Sequence, residues 1–342
     1  MSVGVGRVES VGTYVPEKVV TNDDLSKVMN TSDEWIRTRS GIGERRYAAV
    51  GQTTSDLAVE ASRKAIAGAG LEAKDIDLIL ASTLSPDYYF PGIGVLIQNK
   101  LGARHIPAID LRGQCAGFTW GLATADAYAK TGQYKKILVV GAEIHSTALD
   151  FSDDGRHVAV LFGDGAGAVV VDASTVSEAP SVSNKVSGMI DHLMGTDGSG
   201  AGVLAIDRPG MAGQEKYLTA QDVEAKRHHP AMDGKQVFKN AVFRMTDTVN
   251  TLLAKHGLSV DDIDLLVPHQ ANLRINEMIR EKLGMPPEKV VNIIEHYGNT
   301  TAATIPLCFG AAVEDGRLTE GKLVMTVSFG AGFAWGANLI RW

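Results

Sequence analysis

Three residues of this chain combine reactive types with settings that could expose them: Cys115, His269 and Asn299. Cys115 follows a short apolar run, Ile106 to Ile109, and opens a helix built on Gly117, Ala123, Ala125 and Ala127. A thiol at a helix N-terminus has its thiolate favoured by the dipole and by free backbone N–H groups, which is one route to a nucleophile. The other reading of a cysteine is a small packing residue, and Cys308, inside Ile305-Pro306-Leu307-Cys308-Phe309, fits it. His269 stands where the apolar run ending Val267-Pro268 stops, beside a helix start. Asn299 opens a second small-residue helix through Thr300-Thr301-Ala302-Ala303-Thr304. A strand-end histidine also serves structure alone. If the fold gathers all three, a nucleophile, an imidazole and a non-titrating amide donor share one place.

The elements that must gather them alternate. Ile76–Ala81, Lys136–Val140, Ala168–Val171, Ile263–Val267 and Lys322–Val327 read as strands, and Val242, Met245, Val249, Leu252 and Leu253 share one helical face. Such alternation predicts βαβ units around a buried sheet. A repeat is visible as well: Gly70-Leu71-Glu72-Ala73-Lys74-Asp75-Ile76-Asp77-Leu78 recurs as Gly257-Leu258-Ser259-Val260-Asp261-Asp262-Ile263-Asp264-Leu265, an offset of 187. A second echo sets the segment from Cys115 to Gly132 beside that from Asn299 to Gly316, an offset of 184. A third sets Phe162-Gly163-Asp164-Gly165 beside Phe329-Gly330-Ala331-Gly332. These echoes predict an α/β chain of two duplicated halves, residues 1–180 and 181–342. Asn299 is then the counterpart of Cys115, and two helix starts converge on one site with His269 beside them. Asp191 to Gly234 has no first-half counterpart and is expected to be a surface excursion over a channel.

Composition narrows the class. The chain has 342 residues, 44% of them apolar, with two cysteines and a formal charge of −7. Two cysteines give no disulfide framework, and no run of ~18 apolar residues suggests a membrane span. The opening Met1–Arg7 lacks the basic and apolar regions of a signal peptide, so a cytoplasmic protein is expected. Moderate acidity argues against nucleic acid as the partner. Gly163–Ala168 resembles a phosphate loop but leads into a strand, so a packing turn is expected. His228-His229 lack the partner spacing of a metal site, and no metal is expected.

Four separated motifs then make the sequence resemble the β-ketoacyl-acyl-carrier-protein synthase III family of the thiolase superfamily. They are Asn30–Ile42 around Trp35-Ile36-Arg37-Thr38-Arg39, Pro268–Ile275, Gly298-Asn299-Thr300, and Phe329–Gly336, with the region of Cys115 between them. The resemblance implies a thiolase fold, five αβαβα layers and a homodimer. It implies Cys115 as nucleophile, His269 and Asn299 beside it, and an oxyanion hole from the backbone N–H groups of Cys115 and Ala331. Alanine stands at 331 where the family has glycine, which preserves the hole if its φ is negative. Trp35 and Arg156 would sandwich the adenine of coenzyme A, Arg39 would reach its phosphates, and Gly234 would join that surface. Phe90 would cap the partner's acyl pocket. Lys239, Arg274 and Lys282 would meet an acidic carrier protein at the channel mouth, whereas Arg280 reads equally as a solvated charge. The implied reaction joins an acyl-CoA primer to malonyl-carrier protein with loss of CO2, starting fatty-acid synthesis, with acyl-CoA as substrate and no cofactor. A thiolase would need a second cysteine in the C-terminal glycine loop, and the hydroxymethylglutaryl-CoA synthase type needs a first-half glutamate that nothing marks Glu143 to be. A specialised condensing enzyme or acyltransferase of secondary metabolism or acyl salvage is the closer alternative. A non-catalytic acyl-CoA or carrier-binding protein is the more distant one, expected to have lost one of the three residues.

Overall fold

Glycine at a few strand positions lets two sheets close on a pair of central helices, and this packing builds the molecule. The computed structural model describes residues 3–211 and 216–342. One sheet runs in the order Val3–Tyr14, Gly165–Val176, Lys136–Glu143, Leu78–Ser82, Ala108–Asp110. A second runs Gly188–Thr196, Ala334–Arg341, Leu323–Gly330, Leu265–Pro268. Leu78–Ser82 and Leu323–Gly330 are buried throughout, as strands covered on both faces must be.

The two sheets match strand for strand. Leu78 pairs with Ile137 in parallel, and Leu265 with Val324, each residue 187 positions after its equivalent. Glu143 pairs with Gly165 antiparallel, as Gly330 does with Ala334. The outer strands also share a bulge, one skipping Glu9 and the other Ile190. Val290 bridges Leu266 where Ala108 pairs with Ile79. The chain crosses between sheets after Val176 and before Gly188.

Helices complete five layers. Thr54–Gly68 covers the outer face of the first sheet, its start held by a Thr53–Asp56 capping box. Gly234–Lys255 and Leu273–Leu283 cover the outer face of the second. Gly117–Thr131 and Thr304–Glu314 lie between the sheets, with Phe118 edge-on to Phe309 at 6.5 Å. Each central helix meets the other half's sheet at a glycine. A Cβ on Gly167 would lie 2.6 Å from Pro306, and one on Gly336 would lie 3.1 Å from Thr119. These two contacts are equivalent under the strand register.

That register corrects two of the sequence echoes. Each central helix is preceded by a 3-10 turn, Gln114–Ala116 or Thr301–Ala303, whose first residue has a left-handed φ of 52° or 51°. Gln114 therefore matches Thr301, and Cys115 matches Ala302, three residues beyond Asn299. The offset slips to 184 at Gly132 and Gly316 because the second helix is four residues shorter, 11 against 15, and Asp315 adds one residue before Gly316. In the third echo, Phe329 lies within one strand while Phe162 precedes another, so that likeness has no structural counterpart. The excursion also begins later than the sequence suggested, since Asp191–Thr196 belong to the second sheet. The remainder holds a two-residue ribbon, Leu204–Ala205 with Ala231–Met232, and a short helix, Ala220–Glu224.

One close approach between the halves is testable. A Cβ on Gly141 would lie 2.3 Å from the Ala302 carbonyl oxygen. Gly141→Ala is expected to destabilise by about 1–3 kcal/mol, the usual range for overpacking, read as a lower denaturation midpoint. An unchanged midpoint would show that the two halves do not depend on this contact.

Candidate active site

Cys115, His269 and Asn299 line one cavity of about 700 Å³ between the halves. Gly330, closing the strand Leu323–Gly330, backs onto the thiol: a Cβ there would lie 2.8 Å from the Cys115 nitrogen and 3.2 Å from Sγ. The backbone N–H groups of Cys115 and Ala331 both point at Sγ. Ala331 is not among the non-glycine residues of positive φ, so the alanine keeps an ordinary backbone and its N–H. Burial, and after it the charge of Glu143, push the thiol up to about 12. Cys115 lies in the 3-10 turn just ahead of the helix that begins at Gly117, and its burial outweighs the backbone N–H groups that favour the thiolate.

His269 follows the strand Leu265–Pro268, and its N–H donates to the Val327 carbonyl at 2.8 Å. Gln270 locks this corner by donating to the Pro268 and Val291 carbonyls and accepting from the Ile293 N–H. The ring nitrogen Nδ1 lies 2.8 Å from Thr304 Oγ1, and Nε2 has no hydrogen-bond partner among the described residues. Burial lowers the ring to about 3, so it is neutral. Asn299 sits between Leu161, whose carbonyl accepts its N–H, and Gly163, which donates to its carbonyl. Its Oδ1 accepts the Thr301 N–H at 2.9 Å, which leaves the amide nitrogen as the free end of the side chain. The Gly163 turn is a close backbone contact, since a Cβ there would lie 2.2 Å from the Tyr297 carbonyl.

Several polar groups around the cavity had no sequence signal beyond a polar residue closing an apolar strand. Glu143 is fully buried and accepts from Ser85 Oγ at 2.6 Å, Thr83 Oγ1 at 3.1 Å, and the Leu84 and Ala302 N–H groups. Burial pushes it up to about 7 against those donors. Its oxygens tie the Thr83–Ser85 loop to the turn opposite Cys115, which is a structural assignment and not that of a base. His145, lowered to about 3 by burial, contacts Thr301 Oγ1 through Nε2 at 2.5 Å. Thr301 thus touches both Asn299 and His145. Neither it nor Thr304 stood out in the sequence.

The outer wall is more scattered. Trp35, Arg39 and Gly234 line the cavity, whereas Arg156 does not. The guanidinium of Arg156 instead lies 5.1 Å from the Trp35 ring centre and donates to the Asn30 carbonyl, with Arg39 on the same indole at 4.4 Å. A base between two faces needs about 7 Å, twice the ~3.4 Å of stacked bases, so the slot is closed at rest. Phe90 is 81% exposed and lies away from this chain's own cavity. Lys239, Arg274 and Lys282 are exposed, and Arg274 overlies Phe238, a cavity-lining residue, at 5.9 Å. Arg280 pairs with Glu277 at 2.7 Å, so its charge is engaged locally. His229 contacts the Ala148 carbonyl through Nδ1. Among the described residues no helix is long and apolar enough to cross a membrane.

Comparisons with known proteins agree on one family. Residues 109–198 match the model for 3-oxoacyl-[acyl-carrier-protein] synthase III, and residues 253–342 match the model for its C-terminal part. The chain is 46% identical over 342 residues to β-ketoacyl-[acyl-carrier-protein] synthase III 1 of Bacillus cereus, covering 100% of this chain and 99% of that one. The crystal structure of 3-oxoacyl-[acyl-carrier-protein] synthase III from Aquifex aeolicus superposes with a TM-score of 0.87 at 38% identity, covering 98% and 100%. The priming β-ketosynthase of the R1128 polyketide pathway superposes equally, at 0.87, with 34% identity over 99% and 96%.

The raised thiol has a direct signature. Because Cys115 stays protonated until about pH 12, its alkylation by iodoacetamide is expected to accelerate about tenfold per pH unit up to pH 10. Intact mass over time, with Cys115→Ser as the blank, gives the rate. A plateau below pH 9 would mean that the thiolate is stabilised in the free protein.

Proposed function

The chain belongs to the β-ketoacyl-[acyl-carrier-protein] synthase III family of the thiolase superfamily, and we propose that Cys115, His269 and Asn299 are its reacting centre. It is a condensing acyltransferase of fatty-acid biosynthesis. The observation that carries the site assignment is the shared cavity, where the thiol has two backbone donors at Sγ and the other two side chains open onto the same space.

An acyl-CoA enters first. Sγ of Cys115 adds to the thioester carbonyl, whose oxygen takes the negative charge and is held by the N–H groups of Cys115 and Ala331. Collapse breaks the bond to the CoA sulfur, which leaves with the thiol's proton, and the acyl group stays on Cys115. Malonyl-carrier protein follows and loses CO2. The enolate oxygen faces the Asn299 amide nitrogen and His269 Nε2, and its carbon attacks the acyl-cysteine to release a β-ketoacyl thioester. Asn299 suits this role because an amide donates at any pH.

The remaining assignments follow the same reading. Trp35, Arg39, Arg156 and Gly234 receive coenzyme A, with Arg156 swinging off the indole to admit the adenine. Lys239, Arg274 and Lys282 meet the acidic carrier, for which a chain of net charge −7 needs a local positive patch. Phe90 packs into a second copy of the chain, making a cytoplasmic homodimer that uses no cofactor. Residues 1–180 and 181–342 are two copies of one ancestral unit, supported by the matched strand registers and bulges.

Incubation with acyl-CoAs of graded length is expected to add one acyl mass to the intact protein and none to Cys115→Ala. An adduct that persists in that variant overturns the nucleophile. Asn299→Ala is expected to slow CO2 release from malonyl-carrier protein by about 10²–10³-fold, the usual loss for one such donor. Undiminished release removes Asn299 from the enolate site.

A further inference from the structure

The hydrogen bonds behind His269 decide which of its nitrogens carries the proton. Thr304 Oγ1 lies 2.8 Å from His269 Nδ1 and 2.9 Å from the Thr301 carbonyl oxygen. A carbonyl only accepts, so the single hydroxyl proton of Thr304 makes the second contact a hydrogen bond only by pointing at Thr301. The hydroxyl oxygen then has only lone pairs to offer the ring, and Nδ1 must donate. If Nε2 carried the proton instead, the hydroxyl would turn to Nδ1 and the contact with Thr301 would hold no hydrogen. One tautomer satisfies both contacts and the other satisfies one. Leaving a buried polar pair unjoined costs free energy, and all three groups here are buried.

We propose that Thr304 is a positioning residue that holds neutral His269 as its Nδ1–H tautomer, so that Nε2 faces the cavity as a proton acceptor. The proposal rests on the reading of Cys115 as the acylated residue and adds the path of its proton. As Sγ bonds to the acyl carbon, the thiol proton passes to Nε2. As the carbon–sulfur bond to CoA breaks, the electron pair goes to the CoA sulfur, which takes that proton and leaves as a thiol. The ring returns to its Nδ1–H form. When the malonyl carboxylate enters, Nε2 takes one proton from solvent, and the ring becomes a donor to the enolate that forms as CO2 departs. Condensation frees Sγ as a thiolate, which receives this proton, and the cycle closes with every atom and charge accounted for.

The backbone supports Thr304 in this duty. Thr301, whose carbonyl takes the hydroxyl proton, holds a left-handed φ of 51° that a β-branched residue rarely adopts. Its side chain is fixed by His145 and its N–H by Asn299. The carbonyl that directs Thr304 thus belongs to the same turn that aims the Asn299 amide. Histidine and asparagine are oriented together, through one residue that touches neither substrate.

Ring ¹⁵N NMR of the histidine-labelled wild-type protein tests the tautomer directly, with His269→Gln assigning the signal. A protonated Nδ1 with a bare Nε2 is expected, and a protonated Nε2 in the free protein overturns the proposal without any Thr304 variant. Thr304→Val, close in shape but lacking the hydroxyl, is expected to slow acylation of Cys115 by about tenfold or more, as loss of one buried hydrogen bond allows. Acyl-CoA binding, followed by isothermal titration calorimetry, is expected to be unchanged, and Thr304→Ser is expected to restore the rate. Acylation of Thr304→Val at the wild-type rate, or equal loss in Thr304→Ser, overturns it. Should Thr304→Val not fold, the wild-type spectrum and Thr304→Ser decide. Failure of wild-type protein to acylate Cys115 at all would instead sink the reaction proposed above, whichever tautomer the spectrum shows.

Discussion

Backbone contact between the two halves is the constraint on which everything else depends. The central helices have to lie between two sheets that are themselves only a helix apart, and side chains at the crossing points would hold them off. Gly167 against Pro306 and Gly336 against Thr119 settle the helix axes, while Gly141 against Ala302 and Gly330 against Cys115 settle where each 3-10 turn begins. Once those four distances are fixed, the thiol has no freedom to retreat from Ala331. The Thr301 turn likewise has none to leave Asn299. The precision of the site is therefore a property of main-chain packing, in which no rotamer choice intervenes.

The same closeness buries the titrating groups around the cavity, and burial pushes each of them toward its neutral form. The Cys115 thiol moves up, His269 and His145 move down, and Glu143 moves up. The free site is thus close to uncharged, apart from whatever fraction of Glu143 is ionised. Charge appears only when substrate brings it or bond-breaking creates it. At that moment donors already in place act through a weakly screening medium, where they are worth most.

Much of this was legible in the chain, because the residues of the candidate site stand at boundaries between elements, and boundaries leave marks. An apolar strand that stops at His269 and small-residue helices that open near Cys115 and Asn299 are local patterns, as is the offset of 187 set by strand and loop lengths. The slip of three residues was not legible, because it comes from a difference in helix length that only the equivalent left-handed residues Gln114 and Thr301 expose. The third echo misled because glycines recur wherever backbones touch, whatever their ancestry. The helix-start expectation for Cys115 counted the backbone N–H groups but not the burial that outweighs them, which only the packing of the two halves reveals. Glu143, His145, Thr301 and Thr304 act through contacts between segments, some more than 150 positions apart, and no spacing rule reaches that distance.

The guanidinium of Arg156 on the indole of Trp35 carries a consequence for turnover. In the proposed coenzyme slot the resting protein holds a ligand of its own, tethered and therefore present at high effective concentration. A nucleotide settling there does not gain a stacking energy outright; it exchanges one stack for another, and only the difference appears as affinity. A weak hold is useful where the same passage has to be vacated before a second substrate can use it. If Arg156 yields to an incoming nucleotide as proposed, the side chain that makes room for arrival is also the one placed to take the slot back on departure.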